Sequence, residues 1–169
     1  MQIDDIRQRL SSLGARPLHA QTVLRNWTRA WPLCTCRGDP ERYFPEALRL
    51  ALPALAEELA GLVRLQSEHP SADGSKRLLV QLRSGQTVES VLLPRAGVCV
   101  SSQVGCAVGC VFCMTGREGL KQQVSSAEIV AQVALARQQR RVRRVVFMGM
   151  GEPAHNLDNV MEAIELLGT

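Results

Sequence analysis

Apolar residues recur at helical spacing through the first third of the chain. Ile3, Ile6, Leu10 and Leu13 make one such set, which Gly14 ends. A second helix is predicted from Pro17 through Trp27, with Pro32 marking its end, and Leu48, Leu52, Leu55 and Leu59 line a third. Pro53 falls inside that third stripe, where it removes one backbone hydrogen bond. Between the second and third helices, Cys34 to Pro40 (CTCRGDP) is a loop rich in breakers. After Gly61 the period becomes alternating. Leu62 to Glu68, Lys76 to Leu82 and Thr87 to Leu93 read as strands, with turns at Ala72–Ser75 and Arg83–Gln86, and together they predict a small antiparallel sheet.

From Val98 the pattern changes again. A short strand (Val98 to Ser101) leads into a loop rich in glycine and cysteine, then into a helix beginning near Ser125. Ser125 and Glu128 stand in a capping arrangement, with Ile129, Val133 and Ala136 on one face. Val142 to Met148 is a second apolar strand, Gly149 to Pro153 a loop, and Asn156 to Leu167 a final helix. Strand, loop, helix, strand, loop and helix in that order imply parallel strands joined by right-handed crossovers, hence an α/β fold. The chain divides on this pattern into a helical region (1–60), an antiparallel strand segment (61–94) and an α/β segment (95–169). Two parallel strands and two helices cannot close a barrel or cover both faces of a sheet, so the sequence reads as the first part of a longer protein. An uncovered sheet edge at Val145–Phe147 predicts poor solubility.

Composition narrows the class. Hydrophobic residues make up 46% and charged residues 21%, which is ordinary for a globular protein. No run approaches the apolar length of a membrane span. Met1 to Asp5 is acidic and lacks an apolar core, unlike a secretory signal, so a cytoplasmic location without membrane partners is expected. The net charge of +4 is uneven, because Arg137 to Arg144 (RQQRRVRR) holds five arginines. Such a run can meet phosphates, or it can face water at the negative end of a helix dipole. Trp27 and Trp31, beside Arg25 and Arg29, can stack on RNA or pack in the core.

Six cysteines in a reducing compartment point to metal or redox chemistry rather than to disulfides. Cys106, Cys110 and Cys113 stand in the spacing C-x3-C-x2-C. Three thiolates so close can hold three irons of a cubane cluster and leave the fourth open to another ligand, with Gly105 and Gly109 letting the backbone turn tightly around it. Three buried structural cysteines or a zinc site are the competing readings, and zinc would need a fourth ligand that no nearby residue supplies.

The aromatic Phe112 just before the third cysteine makes the motif similar to that of radical S-adenosylmethionine (SAM) enzymes. Val98 to Gly119 (VCVSSQVGCAVGCVFCMTGREG) and Phe147 to Asn159 (FMGMGEPAHNLDN) resemble the ribosomal RNA adenine carbon-2 methyltransferases, the RlmN/Cfr group, from about Glu89 to the chain end. The resemblance implies the opening part of a radical SAM (β/α) barrel, preceded by a helical, RNA-contacting region. It implies a [4Fe–4S] cluster on Cys106, Cys110 and Cys113, with SAM on the open iron, cleaved by an electron to a 5′-deoxyadenosyl radical. Gly151 and Glu152 then contact the methionyl amino group, where a carboxylate can accept from an ammonium. Glu89 matches the family's proton acceptor and Cys99 its resolving thiol. Read locally, Glu89 is a polar residue on the outer face of a strand, Cys99 a small buried strand residue, and the GMGEP loop a plain turn from strand to helix. The implied partners are ribosomal RNA, with transfer RNA as a second candidate, and an electron donor such as a flavodoxin-type protein. The family also uses a second cysteine near its C-terminus as methyl carrier, and no cysteine follows Cys113. The chain alone is therefore expected not to complete methyl transfer. A noncatalytic iron–sulfur or RNA-binding remnant and a zinc-binding module remain as alternatives.

Overall fold

A computed structural model describes all of residues 1–169. The first helices are α1 (Ile3–Ser12), α2 (Pro17–Thr28), the single turn α3 (Pro40–Tyr43) and α4 (Glu46–Ala60). Helix α4 runs through Pro53 because that residue faces solvent, while Leu48, Leu52, Leu55 and Leu59 on the opposite side are almost wholly buried. Each such leucine contributes about 1.5–3 kcal/mol, enough to offset one missing backbone hydrogen bond.

Three antiparallel strands follow: β1 (Val63–Pro70), β2 (Lys76–Leu82) and β3 (Thr87–Leu93). Strands β2 and β3 bury alternate residues, as their sequences predict, with Leu78, Val80, Leu82, Val88 and Leu92 on the core face. Strand β4 (Gly97–Cys99) pairs antiparallel with β3, with Leu93 opposite Gly97. The hairpin β5 (Gln103–Gly105) and β6 (Leu120–Gln123) brackets the cysteine loop. Then come α5 (Ser126–Gln139), β7 (Arg144–Val146) and α6 (Leu157–Leu167). Strand β7 lies parallel to β4, in register Gly97↔Arg144 to Cys99↔Val146, so the larger sheet runs β1-β2-β3-β4-β7 without closing into a barrel. The antiparallel strands and the parallel pair are thus one continuous sheet.

Helix α5 starts at the capping box that the sequence announces. The Glu128 carboxylate accepts from the Ser125 amide (3.0 Å) and hydroxyl (2.7 Å). It is not the one-sided helix expected from Ile129, Val133 and Ala136. Residues from Ser126 to Ala134 are all buried, because α2, α6 and β1 pack around it. A helix enclosed on all sides has no polar face to keep. Its N-terminus also fastens the chain start, since the Ile3 amide donates to the Ser126 hydroxyl (3.0 Å). No helix is long and apolar enough to cross a membrane.

Candidate functional site

Both parallel strands deliver their loops to the same end of the sheet. Strand pairing continues past β4 and β7 as the Val100 amide donates to the Val146 carbonyl (2.9 Å) and the Gly149 amide to the Val100 carbonyl (3.2 Å). Beyond that point the Gly149–Pro153 loop folds back onto residues 101–103. The Ser102 amide reaches the Met150 carbonyl (2.9 Å), the Met150 amide donates to the Ser101 hydroxyl oxygen (2.8 Å), and the Glu152 amide donates to Gln103 Oε1 (2.8 Å). Glycine is required at both ends of this contact. A Cβ at Gly149 would stand 2.7 Å from Ser101 Oγ, and one at Gly151, whose φ is +100°, would stand 2.5 Å from Gln103 Cβ.

A buried polar chain braces Ser101 from behind. Gln132, in the middle of α5 and fully buried, accepts from the Ser101 amide (3.0 Å) and the Ser90 hydroxyl (2.9 Å), and donates to the Ser101 carbonyl (3.0 Å). Asn156 does the same further along, its amide donating to the carbonyls of Ser102 (2.7 Å) and Val124 (2.8 Å). Buried polar groups satisfied in this way fix one geometry for the strand ends. Sequence reasoning missed both residues. A lone glutamine inside the apolar run Ile129–Ala136 was the available signal for Gln132.

Glu89 and Cys99 lie on the sheet face opposite the main core. Val91 pairs directly with Cys99, which places Glu89 and Cys99 as diagonal neighbours across β3 and β4. The Ser101 hydroxyl donates to the Glu89 carbonyl (2.5 Å), tying Glu89 to the same residue that holds Met150. The Glu89 carboxylate is half exposed and meets Arg77 Nη1 at 3.3 Å. Cys99 is buried, and that burial pushes its thiol up from the ordinary cysteine value, partly offset by a hydrogen bond from the Met148 backbone. In Glu152, one carboxylate oxygen accepts from the Ala154 amide (3.0 Å).

The cysteine loop is closed at its neck and open beyond it. The Cys106 amide donates to the Gly119 carbonyl (3.2 Å), and Gly105, at φ +76°, has no room for a Cβ, which would fall 2.0 Å from that carbonyl oxygen. Gly116 crosses Gly109 so closely that its Cβ would lie 3.1 Å from Gly109 Cα. Outside these crossings, Val111 is fully exposed and Phe112 is 89% exposed. Cys110 is exposed, while Cys106 and Cys113 are half-buried. The amides of Ala107 to Phe112 donate to nothing in the chain. The three sulfurs do not converge in the structure, and no group of three His, Cys, Asp or Glu side chains is gathered to hold a metal ion.

The donor set nevertheless fits an iron–sulfur cluster. Three free thiols lie on one glycine-pinned loop, and its unpaired amides can donate to an anionic cluster. At Cys113, hydrogen bonds from the Thr115 hydroxyl and from the Thr115 and Gly116 amides hold the thiol below the ordinary cysteine value, which favours the thiolate that ligation needs.

Known proteins place this arrangement. Residues 100–169 match the Radical SAM superfamily, whose members use an iron–sulfur cluster and SAM. Over its whole length the chain is 68% identical to a Leptothrix cholodnii protein named "Probable RNA methyltransferase", and 63% identical to a Pseudomonas aeruginosa protein of the same description. The crystal structure of a radical SAM methyltransferase from Sphaerobacter thermophilus matches all of the chain with a TM-score of 0.71 and 31% identity, over 51% of that protein. The chain spans about half the length of the curated relatives it matches, 49% in the first two cases. The likeness of the cysteine motif to radical SAM enzymes agrees with the match over residues 100–169, and the fold is a mixed α/β fold matching part of a radical SAM protein.

Proposed function

We propose that this chain is the cluster- and SAM-binding portion of a radical SAM methyltransferase that modifies adenine carbon-2 in ribosomal RNA, with transfer RNA as a further substrate. One observation carries the reading. Gln103 begins the strand that closes the cysteine loop and also holds the Glu152 amide at 2.8 Å, so the thiol-bearing loop and the GMGEP loop share one anchor. Cys106, Cys110 and Cys113 would hold a [4Fe–4S] cluster. When bound, such a cluster supplies the electron that breaks the carbon–sulfur bond of SAM.

The chain's own residues then have distinct tasks. The Gly149–Pro153 loop receives the methionyl part of SAM. Gly151 permits backbone approach there, and the second Glu152 oxygen accepts from the ammonium. Glu89, on the same sheet face as Cys99, takes the proton that must leave adenine carbon-2 once a carbon has been added. Its Arg77 partner, 3.3 Å away, holds the carboxylate in place on that face. Cys99, protonated in its buried setting, becomes a nucleophile only after losing its proton, which suits a thiol used late, in resolving an adduct. The three segments 1–60, 61–94 and 95–169 serve respectively as RNA-contacting region, bridge and catalytic core. A flavodoxin-type protein serves as electron donor, in the cytoplasm.

The test uses the longer protein that carries this sequence. Anaerobic reconstitution is expected to give a brown protein containing iron and sulfide, and mass spectrometry of ribosomal RNA is expected to show 2-methyladenine. Cys110→Ala should abolish the methylation and lower the iron content. Methylation that survives Cys110→Ala refutes the assignment, and stoichiometric zinc in a colourless protein replaces it with the zinc reading.

A further inference from the structure

The arginine run Arg137–Arg144 divides into two groups with different work. Arg137 and Arg140 turn inward and tie elements together, Arg137 donating to the Thr28 carbonyl and Arg140 to the carbonyls of Leu93 and Gly74. Arg141, Arg143 and Arg144 are exposed, and their side chains make no hydrogen bond and no ion pair in the chain. They occupy the stretch leading into β7 and its first residue, at the end of the sheet opposite the cysteine loop.

A fourth free arginine joins them there. Gly97 pairs with Arg144, and the turn just before Gly97 presents the exposed Arg95. Both the Arg143 and Arg144 amides donate to the Ala96 carbonyl, at 2.8 and 3.2 Å, which pins the two segments side by side. Arg95 and Ala96 both hold positive φ, 59° and 61°, where glycine or asparagine would be easier to accommodate. A strained arginine in a turn is a feature that stability alone does not select.

Acidic neighbours do not neutralise the group. The chain has no Asp or Glu from Ser90 to Arg117, nor from Ile129 to Gly151. The acids that other strands bring to this end are already engaged, Glu68 with Lys76 (2.5 Å) and Asp73 with Ser75 (2.7 Å). Four unpaired guanidinium groups on adjoining segments make a multivalent cationic surface, which suits a run of phosphates better than a single small anion.

We infer that Arg95, Arg141, Arg143 and Arg144 form a phosphate-backbone contact for the RNA substrate, separated from the reacting base by the length of the parallel strands. This rests on the reading of the chain as part of an RNA methyltransferase and adds a second contact remote from its chemistry. From Arg144 to Gly149 the chain covers about 15 Å at strand rise. The substrate is therefore a folded RNA wide enough to touch both ends of the parallel strand pair, not a single-stranded stretch around one base.

The experiment is fluorescence anisotropy of a labelled ribosomal RNA stem–loop with three proteins: the parent, R143Q/R144Q, and a control, R64Q/R83Q, that removes the same charge from exposed sites on the antiparallel strand segment. The patch variant is expected to bind about tenfold more weakly or worse near physiological salt, with a log–log salt slope shallower by about 2. The control is expected to stay within about threefold of the parent. Equal losses in both variants overturn the placement, because net charge alone would then explain binding. Unchanged RNA affinity in the patch variant also overturns it, and a simultaneous loss of binding to an acidic flavodoxin would assign the patch to protein. The methylation reading fails separately. Cys110→Ala should leave this RNA affinity intact, so a patch that binds RNA in a protein without methylation would retain the inference and sink the activity.

Discussion

Two loops leave the same end of the parallel strand pair and are ordered by different means. The Gly149–Pro153 loop is bonded at Gly149, Met150 and Glu152 to residues 100–103, and its two glycines sit where a Cβ would collide with Ser101 or Gln103. The cysteine loop is fixed only at its neck, by the Gly105–Gly119 crossing and the β5–β6 hairpin, while Val111 and Phe112 stand in solvent and six successive amides donate to nothing. One loop is shaped by the protein alone. The other holds the right ligands but leaves their convergence to whatever they bind, as coupled metal binding and folding leads one to expect. A site made this way has a preformed half and a half assembled by its cofactor.

The sharpest way to break the comparison is to add one methyl group to each loop. Gly151→Ala forces a Cβ into contact at 2.5 Å with Gln103 in a left-handed backbone. Overpacking and strain together should cost about 3 kcal/mol, read as a lowered urea midpoint. Gly109→Ala, at φ +67° with nothing within 4 Å of the new carbon, should cost about 1 kcal/mol. Equal losses at the two sites would mean that the cysteine loop is as rigidly packed as its neighbour. An effect below that of Gly151→Ala is expected from Gln132→Leu, which keeps the volume and leaves the Ser90 hydroxyl and both Ser101 backbone groups without their partner. That should cost about 1–3 kcal/mol and weaken SAM binding through the displaced Met150 amide, while the alkylation rate of the exposed Cys110 stays unchanged. A change at Cys110 would show that the two loops are coupled more tightly than their bonding suggests.

Much of this was legible in the sequence. Strands β2 and β3 fall where alternation puts them, and α5 begins at its Ser125–Glu128 box, because those signals are local. The β5–β6 hairpin was not legible. Its strands are three and four residues long, β6 is the polar run Leu120–Gln123, and its pairing spans the whole cysteine loop with a register shift. The bracing network was hidden for the same reason, since Ser90, Ser101 and Gln132 meet only after three distant segments pack. Arg137 to Arg144 misleads in another way. Five arginines in one run look uniform, yet two are structural ties to distant carbonyls and three are free, a division that depends on which carbonyls the fold places within reach. Of the tryptophans beside Arg25 and Arg29, Trp27 is core, while Trp31 is half exposed with the Arg29 guanidinium over its ring at 5.0 Å.

The smallest effect concerns Cys99, which belongs to the preformed half although it is a thiol. Burial raises its pKa in the folded chain above the value it takes when unfolded. The sign follows from proton binding. Below the unfolded cysteine value, about 8.5, both states are protonated and the stabilisation is fully present. As pH rises past that value the unfolded thiol ionises first, so the folded state loses ground until its own thiol ionises too. Stability of the parent should therefore decline on the alkaline side, and Cys99→Ala should flatten that decline while leaving the acid side alone. Cys99 should also resist alkylation near neutral pH, when Cys110 in the open loop reacts readily. An alkaline decline identical in the two proteins, or a Cys99 that alkylates as fast as Cys110, would place that strand end among the mobile parts of the site and erase the contrast between the loops.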